Sequence, residues 1–273
     1  MVLPNPGYPA NAALAESLGI AVRYYNLRAE NRFHIDPDEI RRLVDRDTRL
    51  LIVNSPNNPT GAVLSDEEMD SLHDLCAERR VQFVSDQVYH PIYHGPETRT
   101  AARLPCATVI SDFSKALCLS GLRIGWMIEP DARRREHYRN ARSHFTVSGT
   151  VLGERLATLA LQHRDTIYDR THRISRVNLP LLDRLFAEHA DLLRWVRPAG
   201  GMTGFPWLAG GANTREFCRS LAQSGVLMAP GDCFGMPAHF RIGFAASGEG
   251  FSQGIVRLAE FLRAAGRRSS LHA

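Results

Sequence analysis

Short apolar runs alternate with helix-like stretches through the first half of the chain. Residues 50–54 form an almost continuous apolar run, which is typical of a parallel strand buried on both faces. Similar runs at 81–85 and 107–111 predict two more strands, and a capping box starting at Ser65 predicts a helix over 66–79. This alternation predicts an α/β fold with a mostly parallel sheet and flanking helices. The same criteria predict further strands at 2–3, 20–25 and 122–128, and further helices at 10–18 and 35–44.

The pattern changes after Pro130, where long helical stretches replace the alternation. One helix is predicted over 131–163 with a break near Ser148, and another over 165–189 with a kink or break at Pro180. We therefore predict a large domain at residues 1–150, ending in an interdomain helix at about 131–163, and a small C-terminal α+β domain at 165–273. The small domain is predicted to contain strands at 193–197, 203–208 and 239–245, helices at 213–224 and 251–264, and a frayed tail over 267–273.

Charge and composition exclude several classes of protein. The net charge of +4 is too small and too dispersed to predict nucleic-acid binding. No run of about 18 apolar residues occurs, so no membrane span is predicted. Five cysteines without a C-x-x-C spacing predict free thiols in a reducing compartment, and the N-terminus shows no signal peptide, so a cytoplasmic location is expected. His90 and His94 are four apart, but Pro91 disfavours a shared helical face, so no metal site is predicted.

Lys115 is the only lysine among 33 basic residues, the others all being arginine. Arginine and lysine serve about equally well for surface charge, but only lysine can lose its proton in a protein and attack a carbonyl. A coding bias towards arginine would explain the composition without any chemistry. The residues around Lys115 therefore provide the evidence that distinguishes the two explanations.

Polar side chains follow several of the predicted strands at their carboxyl ends. Tyr8, Asn58, Asp86 and Lys115 lie on four separate loops that the topology brings to one edge of the sheet. Ligands of open α/β sheets bind at this edge. Taken singly, Asp86 would be a turn or cap residue, Asn58 a turn residue and Tyr8 a packed aromatic. Together they bring a carboxylate, an amide, a phenol and the single amine to one place.

An ordered set of motifs surrounds these residues and spans nearly the whole chain. It comprises Asn58-Pro-Thr-Gly61, Ser85-Asp-Gln-Val-Tyr89, Ser114-Lys115 with Gly121-Leu-Arg-Ile-Gly-Trp126, residues 198–207, and Phe240-Arg-Ile-Gly-Phe-Ala245. Each motif alone is a weak signal, whereas their order and separations are specific. The chain resembles the class I/II aminotransferase family, whose members are pyridoxal-phosphate enzymes of fold type I.

The resemblance implies a role for each residue that faces the cofactor ring. Lys115 would form the Schiff base with the cofactor aldehyde and then act as the base at the substrate Cα. Asp86 would pair with the pyridine nitrogen and keep it protonated. Tyr89 and Asn58 would hydrogen-bond the phenolic oxygen of the ring, and Tyr8 would stack on its face.

The resemblance also implies ligands for the two anionic groups. Arg123 would hold the cofactor phosphate, assisted by the Ser114 hydroxyl. Arg241 would bind the α-carboxylate of the substrate, a task that suits the bidentate guanidinium group. Without the resemblance, Arg241 would be an ordinary surface arginine on a strand.

Two features depart from the family pattern. Tyr8 stands almost at the start, so the N-terminal segment that normally precedes it, with its glycine-rich phosphate-binding turn, is expected to be absent. Asp112 stands three residues before the lysine, where the family often has serine or threonine facing the phosphate. A carboxylate there would repel a phosphate, so Asp112 either turns away, pairs with an arginine or weakens phosphate binding.

Three functional hypotheses remain open. The first is an aminotransferase that moves an amino group between an α-amino acid and a 2-oxo acid, working as the homodimer expected from the family. The second keeps pyridoxal phosphate but changes the reaction to that of a lyase, a cyclising synthase or an oxidase. The third is an inactive or regulatory remnant that has lost the cofactor together with the phosphate-binding turn.

Overall fold

A six-stranded sheet forms the centre of the first half of the protein. The computed structural model describes residues 1–269, with side chains described up to Ala264. The strand order is β2-β1-β3-β4-β5-β6, in which the first five strands are parallel and β6 is antiparallel to β5. The predicted mostly parallel sheet is therefore confirmed. The strands are β1 (Val2–Asn5), β2 (Arg23–Asn26), β3 (Leu50–Asn54), β4 (Gln82–Asp86), β5 (Ala107–Asp112) and β6 (Gly125–Ile128).

Three helices connect the first strands, and two of them begin at a capping side chain. The Ser65 side chain accepts a hydrogen bond from Glu68 N, and the Glu68 side chain accepts one from Ser65 N. Asp36 caps the helix before β3 by accepting from the backbone N–H groups of Asp38 and Glu39. Each bond satisfies an N–H group that has no partner inside its helix. The helices are α1 (Pro9–Ser17), α2 (Pro37–Leu43) and α3 (Asp66–Arg79).

Three further helices follow β6, and they correct one prediction. The predicted break near Ser148 separates α4 (Ala132–Phe145) from α5 (Val151–Gln162). By contrast, α6 (Arg164–Glu188) continues through Pro180, so a break there was wrong. Packing explains the difference: Leu179 and Leu182 are buried, and Asn178 donates to the backbone carbonyls of Phe244 and Ala246. These contacts outweigh the hydrogen bond that a proline removes from a helix.

The C-terminal part consists of short strands packed on two helices. The single strand predicted over 203–208 is instead two strands separated by Phe205 and Pro206, because residues 203–204 pair with residues 242–243 whereas residues 207–208 pair with residues 193–194. The last helix continues to Ser269, past the predicted end, and residues 270–273 of the predicted tail lie outside the described residues. The elements are β7 (Leu193–Arg194), β8 (Thr203–Gly204), β9 (Trp207–Leu208), α7 (Arg215–Gln223), β10 (Ala229–Pro230), β11 (Phe240–Gly243) and α8 (Glu249–Ser269).

Two large apolar clusters stabilise the two parts. One lies against the main sheet around Leu51, Phe83 and Val109, and the other joins α6 and α8 to the small sheet around Phe240 and Leu258. The domain division near 150–165 stays a prediction. Among the described residues, the structure contains no helix with the length and apolarity that a membrane crossing requires.

Candidate active site

Asp86 occupies the carboxyl end of β4 and is only 8% exposed. Its Oδ1 accepts a hydrogen bond from Val88 N at 3.1 Å, and no hydrogen bond from the described residues reaches its Oδ2. Burial raises the pKa of Asp86 to about 6; the charge of Asp112 adds to this, while Val88 N–H and Lys115 act in the opposite direction. The site thus contains a buried carboxyl group with a free oxygen, suited to a protonated partner.

Asn54 connects the ends of two neighbouring strands and was missed by the sequence analysis. Its Nδ2 donates to the Asp86 carbonyl at 3.1 Å, and its Oδ1 accepts from Asn58 N at 2.7 Å. The side chain is buried, so both hydrogen bonds are shielded from water. An asparagine that ends a buried apolar strand was the signal that could have revealed it.

Asn58 and Arg241 bring the two parts of the protein together at this edge. The Arg241 guanidinium, on β11, donates to Asn58 Oδ1 at 3.1 Å. Its central carbon lies 5.2 Å from the centroid of the Phe234 ring, so the cation also packs on an aromatic face. Phe234 was also missed, and nothing in the sequence distinguishes it from an ordinary core residue. Arg241 is therefore held at the site by one hydrogen bond and one aromatic ring.

Gly61 allows the Asn58 loop to approach the C-terminal part closely. Its carbonyl accepts hydrogen bonds from Ala199 N and Gly200 N, both at 2.9 Å. Its φ of +69° lies in the left-handed region, and an added Cβ would come within 2.3 Å of Pro198 Cβ. Only glycine fits here without moving backbone. The Asn58-Pro-Thr-Gly61 motif thus fixes the relative position of Asn58 and the segment that leads to β8.

Tyr89 is buried beside Asp86, whereas Tyr8 is half exposed. Burial raises the pKa of Tyr89 to about 12; the Arg241 cation opposes this, and Asp86, Asp112 and Tyr8 add to it. The four groups are therefore close enough to Tyr89 for their charges to act on its hydroxyl. Tyr8 lines a cavity of about 330 Å³ together with Phe234.

The loop that carries Lys115 is connected to the loop after β4. Ala116 N donates to the Val88 carbonyl at 3.2 Å, and Ser114 N donates to Asp112 Oδ1 at 2.8 Å. The Lys115 side chain is exposed, although its charge still acts on Asp86. The structure thus brings the single lysine and the buried carboxyl group to the same edge of the sheet.

Arg123 is the predicted site residue that the structure places least tightly. Its side chain is exposed, and its guanidinium donates to the Ser120 carbonyl of its own turn at 3.1 Å. No hydrogen bond joins Arg123 to Ser114 within the described residues. The two nevertheless lie on neighbouring loops, since Phe113 N donates to the Ile124 carbonyl at 3.1 Å.

The two histidines considered as metal ligands have other partners. His90 Nδ1 lies 2.7 Å from the Tyr93 hydroxyl, and His94 Nε2 donates to the Gly201 carbonyl at 2.7 Å. Across the described residues, the structure contains no group of three or more histidine, cysteine, aspartate or glutamate side chains arranged to bind a metal.

The fold and the residues at its carboxyl edge define a pyridoxal-phosphate enzyme of fold type I. The family model named aminotransferase class I and II matches residues 1–252, and the chain belongs to this family. The resemblance stated from the motifs is thereby confirmed, and with it the dependence of the family on pyridoxal phosphate.

Three relatives show how far the similarity extends. Capreomycidine synthase of Streptomyces vinaceus is 32% identical over 273 residues, covering 98% of this chain and 70% of that protein. A PLP-dependent aminotransferase from Streptococcus suis has a TM-score of 0.90 and 29% identity, covering 96% of this chain and 70% of its own. The PLP-dependent cyclase OrfR has a TM-score of 0.88 and 29% identity, covering 96% of this chain and 71% of its own. The chain therefore spans about 70% of the length of these relatives.

The residues at the site fit the chemistry of pyridoxal phosphate. The free Oδ2 of the buried Asp86 suits a protonated ring nitrogen, and the Tyr89 hydroxyl and Asn58 amide suit the ring oxygen. Lys115 supplies the amine that the cofactor aldehyde requires. We call Asn54, Asn58, Asp86 and Tyr89 the ring end of the site, and Asp112, Ser114, Lys115 and Arg123 the phosphate end.

Proposed function

We propose that this protein is a pyridoxal-phosphate enzyme that acts at the Cα of an amino acid, with transfer of the amino group to a 2-oxo acid as its reaction. One observation carries the proposal. The loop of the only lysine is hydrogen-bonded, through Ala116 N and the Val88 carbonyl, to the loop that follows the buried Asp86. A nucleophilic amine and a buried carboxyl group with one free oxygen thus lie at the same edge of the sheet.

Asp86 has the role of keeping a proton on the ring nitrogen. When bound, the cofactor supplies an electron-accepting ring, and that property depends on a protonated nitrogen. A carboxylate in a dry site stabilises such a proton far better than water-exposed groups do. Tyr89 and Asn58 would orient the ring by hydrogen bonds to its oxygen, and Tyr8 would pack on its face.

Arg241 would bind the α-carboxylate of the amino acid. Its bond to Asn58 Oδ1 uses one terminal nitrogen, and the other N–H groups remain available to a carboxylate. The Phe234 ring limits the positions that the guanidinium can adopt. Because charge-assisted bidentate pairs are geometrically specific, the substrate would be held with its Cα towards Lys115.

Lys115 would move the proton at the substrate Cα. This task requires a neutral amine. Arg123 and the Ser114 hydroxyl would bind the cofactor phosphate. The homodimer and the cytoplasmic location expected from the sequence and the family belong to this proposal.

A cyclising reaction is the second candidate, and a specific observation favours it. The relative with 32% identity is a capreomycidine synthase, and a PLP-dependent cyclase shares the fold with a TM-score of 0.88. The same residues would bind cofactor and substrate, and the outcome would depend on the shape of the substrate pocket. The regulatory remnant is the third candidate.

Trapping the cofactor on the protein tests the proposal. The protein is titrated with pyridoxal phosphate and reduced with borohydride, and the modified residue is mapped by mass spectrometry. We expect one modification, at Lys115, which Lys115→Ala abolishes and Ser114→Ala retains. No modification, or the same yield in Lys115→Ala, would contradict the proposal and favour the remnant.

Product analysis separates the two reactions. Incubation with amino acids is followed with and without a 2-oxo acid as amino acceptor. An aminotransferase forms a new 2-oxo acid in steady state only when the acceptor is present. A cyclising enzyme consumes its amino acid without an acceptor and forms no 2-oxo acid.

A further inference from the structure

Asp112 is a carboxylate at the phosphate end that the proposed function leaves unexplained. It ends β5 and pairs with Gly125 of β6, and its Oδ1 accepts a hydrogen bond from Ser114 N at 2.8 Å. Of the arrangements considered from the sequence, a pairing of Asp112 with an arginine is not observed within the described residues. Its carboxylate instead accepts the hydrogen bond from the Ser114 backbone N–H, inside the loop of Lys115.

The strand register places Asp112 on the same face of the sheet as Asp86. Asp86 pairs with Ile110, and residues that pair across two strands point to the same face. Asp112 is two residues beyond Ile110, so its side chain returns to that face. Consistent with this, the charge of Asp112 acts on both Asp86 and Tyr89.

We propose that Asp112 is a specificity-determining residue that weakens the binding of the phosphate group relative to the pyridine ring. The inference rests on the proposed function. Asp112 holds a negative charge within the turn that contains Ser114, next to the loop of Arg123. A phosphate dianion bound by Ser114 and Arg123 experiences the repulsion of this charge, whereas an unphosphorylated ring at Asp86 does not bring a dianion near it.

The inference concerns the charge of Asp112 and not its hydrogen bond, and a substitution can remove the first while retaining the second. Asparagine has the same shape and can still accept from Ser114 N, but it carries no charge. Asp112→Asn should therefore retain the turn and remove only the repulsion. Asp112→Ser offers a second neutral side chain with an acceptor oxygen if the amide disturbs folding.

The test compares the dissociation constants of pyridoxal phosphate and of unphosphorylated pyridoxal, measured by absorbance titration of the full chain. In Asp112→Asn we expect the ratio of the dissociation constant of pyridoxal phosphate to that of pyridoxal to fall about tenfold, and taking the ratio removes the effect that the charge of Asp112 has on both aldehydes through Asp86. This change in the ratio should shrink at 1 M salt (Debye length about 3 Å) because ions screen the repulsion. Asp36→Asn is the matched control, since Asp36 also accepts backbone N–H groups but caps α2, which carries no residue of either end of the site.

Each outcome decides the inference. An unchanged ratio of the two constants, an equal change in both, or weaker binding of the phosphorylated form would overturn it. If the unsubstituted protein binds neither aldehyde, the proposed function fails and this inference fails with it. If it binds both aldehydes and the ratio does not respond to Asp112→Asn or Asp112→Ser, only the inference about Asp112 fails.

Discussion

The ring end of the site is buried and joined by internal hydrogen bonds, whereas the phosphate end faces solvent. Asn54, Asn58, Asp86 and Tyr89 are each less than 9% exposed. At the phosphate end, Lys115 and Arg123 are exposed, and Arg123 bonds only to a carbonyl of its own turn. The two ends are built from adjacent strands of one sheet, so the difference comes from what covers them.

The position of each end in the sheet explains this difference. The ring end lies on β3 and β4, which have strands on both sides, and the Asn58 loop is covered by the segment around Gly200. The phosphate end lies on β5 and beside β6, where the strand order of the described sheet ends. Met127 and Ile128 of β6 are 48% and 43% exposed, and a cleft of about 810 Å³ lies beside Arg123. The ring end should therefore be preorganised, and the phosphate end should be adjustable.

Asp86→Asn tests the ring end and has the largest expected effect. In the cofactor-free protein, burial raises the pKa of Asp86 from 3.8 to about 6, so its ionised form destabilises the fold. The contribution of Asp86 to the free energy of unfolding is fully present below pH 3.8, where the group is protonated in both states. It is lost as the pH rises through about 6, where the group ionises in the folded protein. Asp86→Asn should raise the free energy of unfolding by about 3 kcal/mol above that pH while weakening cofactor binding. Urea denaturation at several pH values measures it.

The control for this prediction is Asp45→Asn, which should change the free energy of unfolding in the opposite direction. Asp45 is paired with Arg23 at 2.7 Å, and this pairing holds its pKa below the usual range. Its contribution to stability is present above the normal pKa of an aspartate and is lost as pH falls. Asp45→Asn should therefore destabilise the protein at neutral pH. If both variants shift stability in the same direction, the description of Asp86 as a strained buried group is wrong.

Asn54→Ala tests whether the ring end is preorganised by its hydrogen bonds. The variant removes the acceptor of Asn58 N and one donor to the Asp86 carbonyl, leaving a buried N–H without its partner. We expect a loss of about 2 kcal/mol in the free energy of unfolding and weaker binding of pyridoxal. Thermal unfolding and absorbance titration measure the two effects.

Asn178→Ala is the matched control for Asn54→Ala. Asn178 is also buried, and its Nδ2 donates to two backbone carbonyls at 2.9 and 2.8 Å. It lies on α6, which carries none of the ring-end residues, so its loss should cost similar stability and leave the affinity for pyridoxal unchanged. Equal losses of affinity in the two variants would mean that general destabilisation, not the Asn54 network, controls binding.

The sequence predicted the main sheet well because its signals are local. The apolar run before Asn54, the capping box at Ser65 and the break near Ser148 each depend on a few adjacent residues. Of the kink or break predicted at Pro180, the break was wrong, because long-range contacts of Leu179 and Leu182 hold α6 together. The pattern over 203–208 failed for a similar reason, since its two halves pair with different strands, β11 and β7.

The sequence predicted only those site residues that lie within the motifs or directly beside them. The structure brings Asn58, Asp86, Tyr89, Lys115 and Arg241 to one edge, as the motif order led us to expect. Asn54 and Phe234 were missed because their importance lies in contacts with residues distant in the sequence. The sequence also left three alternatives for Asp112, and only the hydrogen bond to Ser114 N shows which group it contacts.

Arg123→Gln tests the phosphate end and has the smallest expected effect on the free energy of unfolding. The side chain is exposed and bonds only within its own turn, so the free energy of unfolding should change by less than about 0.5 kcal/mol. Binding of pyridoxal phosphate should weaken about tenfold because one charge-assisted contact is lost, while binding of pyridoxal should not change. Arg135→Gln, which removes another exposed arginine from the same cleft, is the control and should alter neither affinity. An equal loss for both aldehydes in Arg123→Gln would show that Arg123 supports the ring end, and the distinction between the two ends would then be wrong.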